Sequence, residues 1–238
     1  MPQIKRWLLR RDLFLINKLK TGYFIIGTDT DIGKTYVSSL IFKSLQPENI
    51  GYFKPFQTGC HYDNNNNLVP LDPKFLCDFS NIELKEDMVT YLFKTPVSPH
   101  LASELENIPI QMETIFNQWK TLKSRYHTTF IEAAGGIYVP IIRGHYFMFD
   151  FVKDLNLPVI LVCSTKVGAI NHTMLTISFL KEKNIPIQGI VFNNYTGEFY
   201  ENDNIDVVLK TSGIKNYLIV KNGDKIIPKE TLTAFLER

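Results

Sequence analysis

Nine consecutive residues, Gly27-Thr28-Asp29-Thr30-Asp31-Ile32-Gly33-Lys34-Thr35, set glycine, lysine and a hydroxyl at a spacing suited to holding a polyanion. The apolar run Tyr23-Phe24-Ile25-Ile26 precedes them and an apolar-periodic segment, 37–45, follows, which predicts strand, turn and helix. Such a turn aims backbone N–H groups at one point, and the new helix adds the positive end of its dipole. Gly33 lets the backbone come close, Lys34 reaches terminal phosphates, and the Thr35 hydroxyl is placed to ligate Mg²⁺. The bland alternative is a helix that happens to begin with Gly-Lys-Thr. A second chemical group is Glu132, read as ending the β-rich run Thr128-Thr129-Phe130-Ile131. That is where a P-loop protein places the acid that holds Mg²⁺ directly or through water. Asp72 opens a predicted helix and is either a further metal ligand or an N-cap.

The elements that must position these groups alternate along the chain. After the first strand and helix, residues 50–54 read as a short strand stopped by Pro55. The turn Gln57-Thr58-Gly59 follows, and then Asn64-Asn65-Asn66-Asn67, a polar run taken as a mobile loop. A short helix is expected from Asp72 to Phe79, a turn between Pro96 and Pro99, one or two helical turns over 101–106, and a helix over 110–126. A strand over 128–131 is expected to end at Glu132, before a turn over 133–136. Residues 146–155 look helical, 159–163 form a continuous apolar strand, a helix runs from about 169 to 183, and a strand from 187 to 192 ends at Asn193-Asn194. Weaker elements close the chain: a helix near 201–211, a strand near 216–220 and a helix from Pro228. Strands alternating with helices predict an α/β fold with a doubly wound, mostly parallel sheet of the P-loop NTPase type, functional groups gathering at the carboxyl ends of its strands.

At 238 residues and 45% hydrophobic content the chain can bury one sizeable core, so residues 21–238 are read as one domain behind an extension, 1–20. That extension holds Lys5, Arg6, Arg10, Arg11, Lys18 and Lys20 against Asp12, a net +5 that leaves −3 of the overall +2 on the body. A mildly acidic body argues against nucleic acid as a partner. The apolar stretch Leu13-Phe14-Leu15-Ile16 is too short for a secretory core, and no run approaches the roughly 20 apolar residues of a membrane span. Three cysteines without Cys-x-x-Cys spacing point away from a disulfide framework and structural zinc, and toward a reducing, cytoplasmic setting.

Taken together the pieces resemble one family, the dethiobiotin synthetases. The resemblance is carried by GTDTDIGKT (27–35), FKPFQTG (53–59), TPVSPHLA (95–102), IEAAGG (131–136), PVILVCSTKVGAINHTMLT (158–176) and GIVFNN (189–194). The five residues between Gly27 and Gly33, one more than the common P-loop spacing, are a habit of that family. The resemblance implies that 7,8-diaminononanoate, CO₂ and ATP are condensed into a cyclic urea. One amine captures CO₂ as a carbamate, ATP phosphorylates it, and the second amine displaces phosphate.

Carried over position by position, it implies ATP and Mg²⁺ bound by Asp31, Ile32, Gly33, Lys34, Thr35, Tyr36, Asp72, Glu132, Gly135, Asn193 and Asn194. The metal would be held by Thr35, Asp72 and Glu132, and the purine contacted by Asn193. Lys34 and Lys54 are the implied catalytic pair, with Lys54 on the carbamate. Thr30 and Thr58 would meet the substrate near its reacting end. The helix start Gly168–Asn171 would bind the remote carboxylate, acting in the family across a homodimer interface. Three departures stand out: Ala133 replaces a glycine, which would strain the turn if φ there is positive; 218–228 lacks the family's base-binding loop pattern; and residues 1–20 have no family counterpart. The competing reading is a partition-type ATPase switch working through protein partners. Those relatives carry a second lysine early in the loop, and none lies between Gly27 and Lys34.

Overall fold

Residues 22–27 contain no charge and set Tyr23 and Ile25 on one side of an extended chain, Phe24 and Ile26 on the other. A strand made from them has no polar face, so it is stable only inside a sheet covered on both sides. The computed structural model, which describes residues 19–46 and 49–237, builds that sheet. Most of the 1–20 extension lies outside the described residues. Lys20 belongs to the body: its ammonium donates to Gln188 Oε1 at 2.9 Å and its carbonyl accepts from the Thr128 hydroxyl.

The first half of the described chain runs β1 (Gly22–Gly27), α1 (Lys34–Ser44), β2 (Ile50–Phe53), β3 (Phe56–Gln57), β4 (His61–Tyr62), β5 (Leu68–Val69), α2 (Leu71–Ser80), β6 (Tyr91–Leu92), α3 (Pro99–Glu106) and α4 (Met112–Arg125). The second half runs β7 (Thr128–Gly136), β8 (Pro140–Ile142), β9 (Tyr146–Phe147), α5 (Met148–Leu155), β10 (Val159–Ser164), α6 (Ala169–Glu182), β11 (Ile187–Tyr195), α7 (Phe199–Ser212), β12 (Tyr217–Lys221) and α8 (Lys229–Glu237). Six strands, all paired in parallel, form the central sheet in the order β12-β11-β10-β1-β7-β2. Every β→α turn therefore opens on one edge, as predicted for the α/β class.

The two faces of the sheet carry separate cores. Phe24, Ile26, Ile131, Leu161 and Phe192 face one side with Trp119 of α4, Phe151 of α5, Ile177 of α6 and Ile205 of α7. Tyr23, Ile25, Phe130, Ile160 and Val191 face the other with α1, α2 and α8. On α1 the buried residues Val37, Leu40 and Ile41 recur at helical spacing and are fully excluded from solvent. Each contributes about 1.5–3 kcal/mol by area burial, an upper bound because a real unfolded chain is not fully extended.

Three sequence expectations change. The third strand does not stop at Glu132: β7 continues to Gly136, pairing with β1 through an irregularity between Ile25 and Gly27. The small residues 133–136 let it pass beside the P-loop. The feared strain at Ala133 is absent, because the left-handed residue is Gly135, φ 78°, while Ala133 is buried in ordinary strand. Second, the helix expected over 146–155 begins at Met148, since Tyr146–Phe147 pairs with β8 and the Asp150 carboxylate accepts the Phe147 N–H at 2.9 Å, marking the helix start. Third, the asparagine run is the tip of the β4–β5 hairpin. There Asp63 Oδ1 accepts the backbone N–H of Asn65 and of Asn67, both at 2.8 Å, so a side chain shapes the loop that composition placed here.

The carboxyl-terminal helix is fixed from the sheet side. The Tyr23 hydroxyl donates to Leu236 O at 2.7 Å, Gln188 Nε2 to Phe235 O at 2.9 Å, and Asn216 Nδ2 to Phe235 O at 2.8 Å. Burial pushes the Tyr23 phenol up to about 12, which keeps it a donor. Gly189 is what lets α8 sit this low: a Cβ there would lie 2.5 Å from Phe235 Cε2 and 2.6 Å from Asn216 O. Gly189→Ala is expected to cost about 1–3 kcal/mol by overpacking, read as a lower urea midpoint. An unchanged midpoint would show that Phe235 does not press on this strand.

Candidate active site

The turn after β1 is held from both sides. Thr28 N–H donates to Val162 O at 3.0 Å, continuing the sheet, and Val37 N–H donates to Gly33 O at 3.0 Å, beginning α1. Between them Asp31 (φ 55°) and Gly33 (φ 90°) are left-handed, the alternation that turns amide groups inward as an anion nest. Gly33 is required twice over, because a Cβ would also lie 2.1 Å from Asn193 Nδ2. Lys34 is 7% exposed and its ammonium arches back to Asp29 O at 3.0 Å. Burial pushes its pKa below the ordinary lysine value, against the pull of Glu132.

Across the crevice stands a second charged group. Glu132 on β7 is wholly buried and accepts four hydrogen bonds: from Lys54 Nζ at 2.8 Å, Thr35 Oγ1 at 2.7 Å, Ser38 Oγ at 2.6 Å and Tyr52 OH at 3.0 Å. The Lys54 ammonium, just past β2, also binds Asp72 Oδ2 in the first turn of α2. Burial pushes Lys54 down, but Glu132 and Asp72 outweigh it and hold the ammonium above the ordinary lysine value. Burial pushes the Asp72 carboxyl up, and Lys54 more than reverses that, leaving it below the usual aspartate value. Asp72 is thus no N-cap, a position held by Pro70, but the partner of a buried cation.

Lys34, Thr35, Lys54 and Asp72 open into one cavity of ≈ 700 Å³, with Thr30, Asp31, Gly33, Thr58 and Gly135 also in its wall. Ile32 stands behind the loop, its carbonyl accepting from Asn193 Nδ2 at 2.9 Å, and Asn193 Oδ1 is buried with no donor among the described residues. Asn194 is exposed with φ 59° beside Gly33. Tyr36 points away, its hydroxyl donating to Asp224 O. Gly168 and Asn171 lie on the same sheet edge, at the start of α6, but are exposed and outside this cavity.

Sequence reasoning missed Ser38, Tyr52 and Gln57. Ser38 falls three residues after Thr35 on one helix face, and Tyr52 two residues before Lys54 on one strand face, so periodicity from the recognised residues could have found both. Gln57, whose Oε1 accepts the Asp72 N–H at 3.3 Å, had no such signal.

Residues 21–229 match the family profile described as an AAA domain. The ATP-dependent dethiobiotin synthetase BioD of Fusobacterium nucleatum is 51% identical over 213 residues, 90% of this chain and 97% of that protein. Its counterpart in Clostridium perfringens is 39% identical over 214 residues, 87% of this chain and 93% of that protein. Among solved structures, a ParA family ATPase from Chlorobium tepidum superposes with TM-score 0.53 over 92% of this chain and 90% of that one, at 13% identity. The MinC:MinD cell division complex of Aquifex aeolicus gives a chain with TM-score 0.51, covering 90% and 86%, also at 13% identity. These structures share the fold alone, whereas identity at the level of the Fusobacterium enzyme, spread over nearly the full length of both proteins, extends to lineage: the chain belongs to the ATP-dependent dethiobiotin synthetase family.

Proposed function

We propose that this chain condenses 7,8-diaminononanoate with CO₂ and ATP to dethiobiotin, releasing ADP and phosphate. The observation that carries the reading is the cavity in which the P-loop lysine and the Lys54–Asp72 pair, backed by the buried Glu132, face each other. The loop amides 31–35 and Lys34 bind the phosphates, and Asn193 Oδ1, buried and without a donor among the described residues, accepts from the amino group of adenine. An unprotonated amine adds to CO₂, giving a carbamate and a proton. The carbamate oxygen attacks the γ-phosphorus as ADP leaves, and the second amine attacks the carbamoyl carbon as phosphate leaves. The carbamate is already anionic, so no protein base is needed for phosphoryl transfer; positioning and charge carry the rate. Lys54 neutralises the carbamate, and Thr30 and Thr58 hold the diamine end.

Mg²⁺ fits this wall chemically. Thr35 and Asp72 line the cavity with oxygen only, while Glu132, buried behind them and holding the Thr35 hydroxyl, would act on the ion through that hydroxyl or through water. A magnesium ion keeps several of its positions for water and phosphate oxygens. When bound it would neutralise charge building on the β- and γ-phosphates. In the structure the positive charge between those carboxylates is the Lys54 ammonium.

The enzyme acts as a homodimer in the cytoplasm, without nucleic-acid or membrane partners. What supports the dimer is that the α6 start lies outside its own chain's cavity; no described helix is long and apolar enough to cross a membrane. Val167, just before that start, and Leu175, further along α6, are 83% and 63% exposed, and near the other end of α6 Phe179 packs with Tyr138, itself 62% exposed, and Phe149. A second copy packed there brings Gly168–Asn171 to the neighbour's substrate carboxylate.

The direct test is product formation from diaminononanoate, bicarbonate, ATP and Mg²⁺; folded protein that makes no dethiobiotin above background would sink the reading. Lys54→Gln should lower turnover by about 10²–10³ while ADP affinity by calorimetry stays nearly unchanged, and an equal fall in both would make Lys54 a nucleotide ligand. The shared site has its own test. After subunit exchange, confirmed by mass tags, an equal mixture of Lys34→Ala and Asn171→Ala proteins should recover about a quarter of wild-type activity, since half the dimers are mixed and each has one intact site. Recovery of nothing would place both groups in the same chain's site.

A further inference from the structure

Glu201, in the first turn of α7, is 2% exposed and makes more bonds than its helix needs. Oε2 accepts the N–H groups of Thr196, Gly197 and Glu198 at 3.0, 2.7 and 2.9 Å, and the Thr196 hydroxyl at 3.1 Å. Those bonds order the loop leading into α7 and account for one carboxylate oxygen as a helix-start device. The other oxygen, Oε1, turns away from that loop and accepts from the Thr165 hydroxyl, in the turn after β10. One turn further along α7, Asn204 Nδ2 donates to Thr165 O at 2.8 Å. The far turn is itself tightened by Lys166 N–H to Ser164 Oγ at 3.1 Å and Ala169 N–H to Lys166 O at 3.0 Å, which lead directly into the start of α6.

We propose that Glu201 and Asn204 are positioning residues that hold the 165–168 turn so that the Gly168–Asn171 helix start is aimed at the remote carboxylate of the substrate. This rests on the function proposed above. Val167 and Gly168 are exposed, and a Cβ on Gly168 would touch nothing, so within the chain this turn is fastened from the α7 side rather than by packing beyond it. Gly168 is left-handed (φ 92°) and does not cap the helix with a side chain, which leaves the α6 amides available to an anion. Burial pushes the Glu201 carboxyl upward, but the hydroxyl and amide donors outweigh it and keep it below the usual glutamate value. Beyond Thr196 the same loop joins β11, whose Asn193 holds the P-loop carbonyl of Ile32. One buried carboxylate thus sets the carboxylate-binding turn relative to the nucleotide side.

The test separates aiming from general stability by using two substrates. Thr165→Val and Asn204→Ala cut the link to the turn and leave the bonds of Glu201 to its own helix start; Glu201→Gln weakens both. The substrates are 7,8-diaminononanoate and its analogue with methyl in place of carboxyl, 2,3-diaminononane. Each variant should raise KM for the acid by about tenfold or more with little change in kcat, because only binding of the remote end is lost. For the analogue kcat/KM should stay within about twofold of wild type, as should KM for ATP. Equal losses on both substrates, or no loss on the acid, would overturn the proposal. Thr165→Val leaves a buried acceptor unpaired, so if it fails to fold, Asn204→Ala decides alone. A wild-type protein inactive on the acid would instead overturn the proposed function, which keeps the two failures apart.

Discussion

The site depends on one constraint: Glu132 is a carboxylate with no solvent, and a buried charge costs several kcal/mol unless every lone pair is answered. Four donors answer it, from α1 (Thr35, Ser38), β2 (Tyr52) and the residue after β2 (Lys54). Lys54 in turn draws in Asp72 and with it the start of α2. The P-loop helix, the edge strand and the helix beyond are thus registered to each other through one group. Because breaking a buried pair is far more costly than forming it is favourable, the network specifies geometry more than it adds stability.

The two lysines divide the work electrostatically. Lys34 reaches only the Asp29 carbonyl, has no ion pair among the described residues and is depressed by burial, so it gains most from an arriving polyanion. Lys54, equally buried, is raised because two carboxylates face it. The two ammonium groups are thus held in place in different surroundings before any ligand arrives, so little reorganisation is needed when one does.

The same sheet, loop and helix occur in the ParA and MinD structures at 13% identity, so the fold does not decide between a synthetase and a switch. What decides is 51% identity to the Fusobacterium synthetase over nearly the whole chain. Nor does Ala133 weaken the assignment: the position carries no positive φ, since the left-handed residue falls two places later.

The sequence by itself determined the P-loop and its helix, because their signals are local: a strand, glycines and a helix start within 23 residues, each shaped by its neighbours' φ, ψ and dipoles. It determined the α/β class for the same reason, since apolar periodicity is read from short windows. The tertiary structure decided which groups meet. Lys54 reaches Glu132 across 78 residues, Tyr52 across 80, Ser38 across 94, and Thr165 reaches Glu201 across 36. Such pairings follow from strand order and register, which hydrophobic pattern alone leaves open. Asp72 shows the difference most simply: from sequence it was a ligand or a cap, and only the folded chain shows that Pro70 holds the cap position while Asp72 meets Lys54.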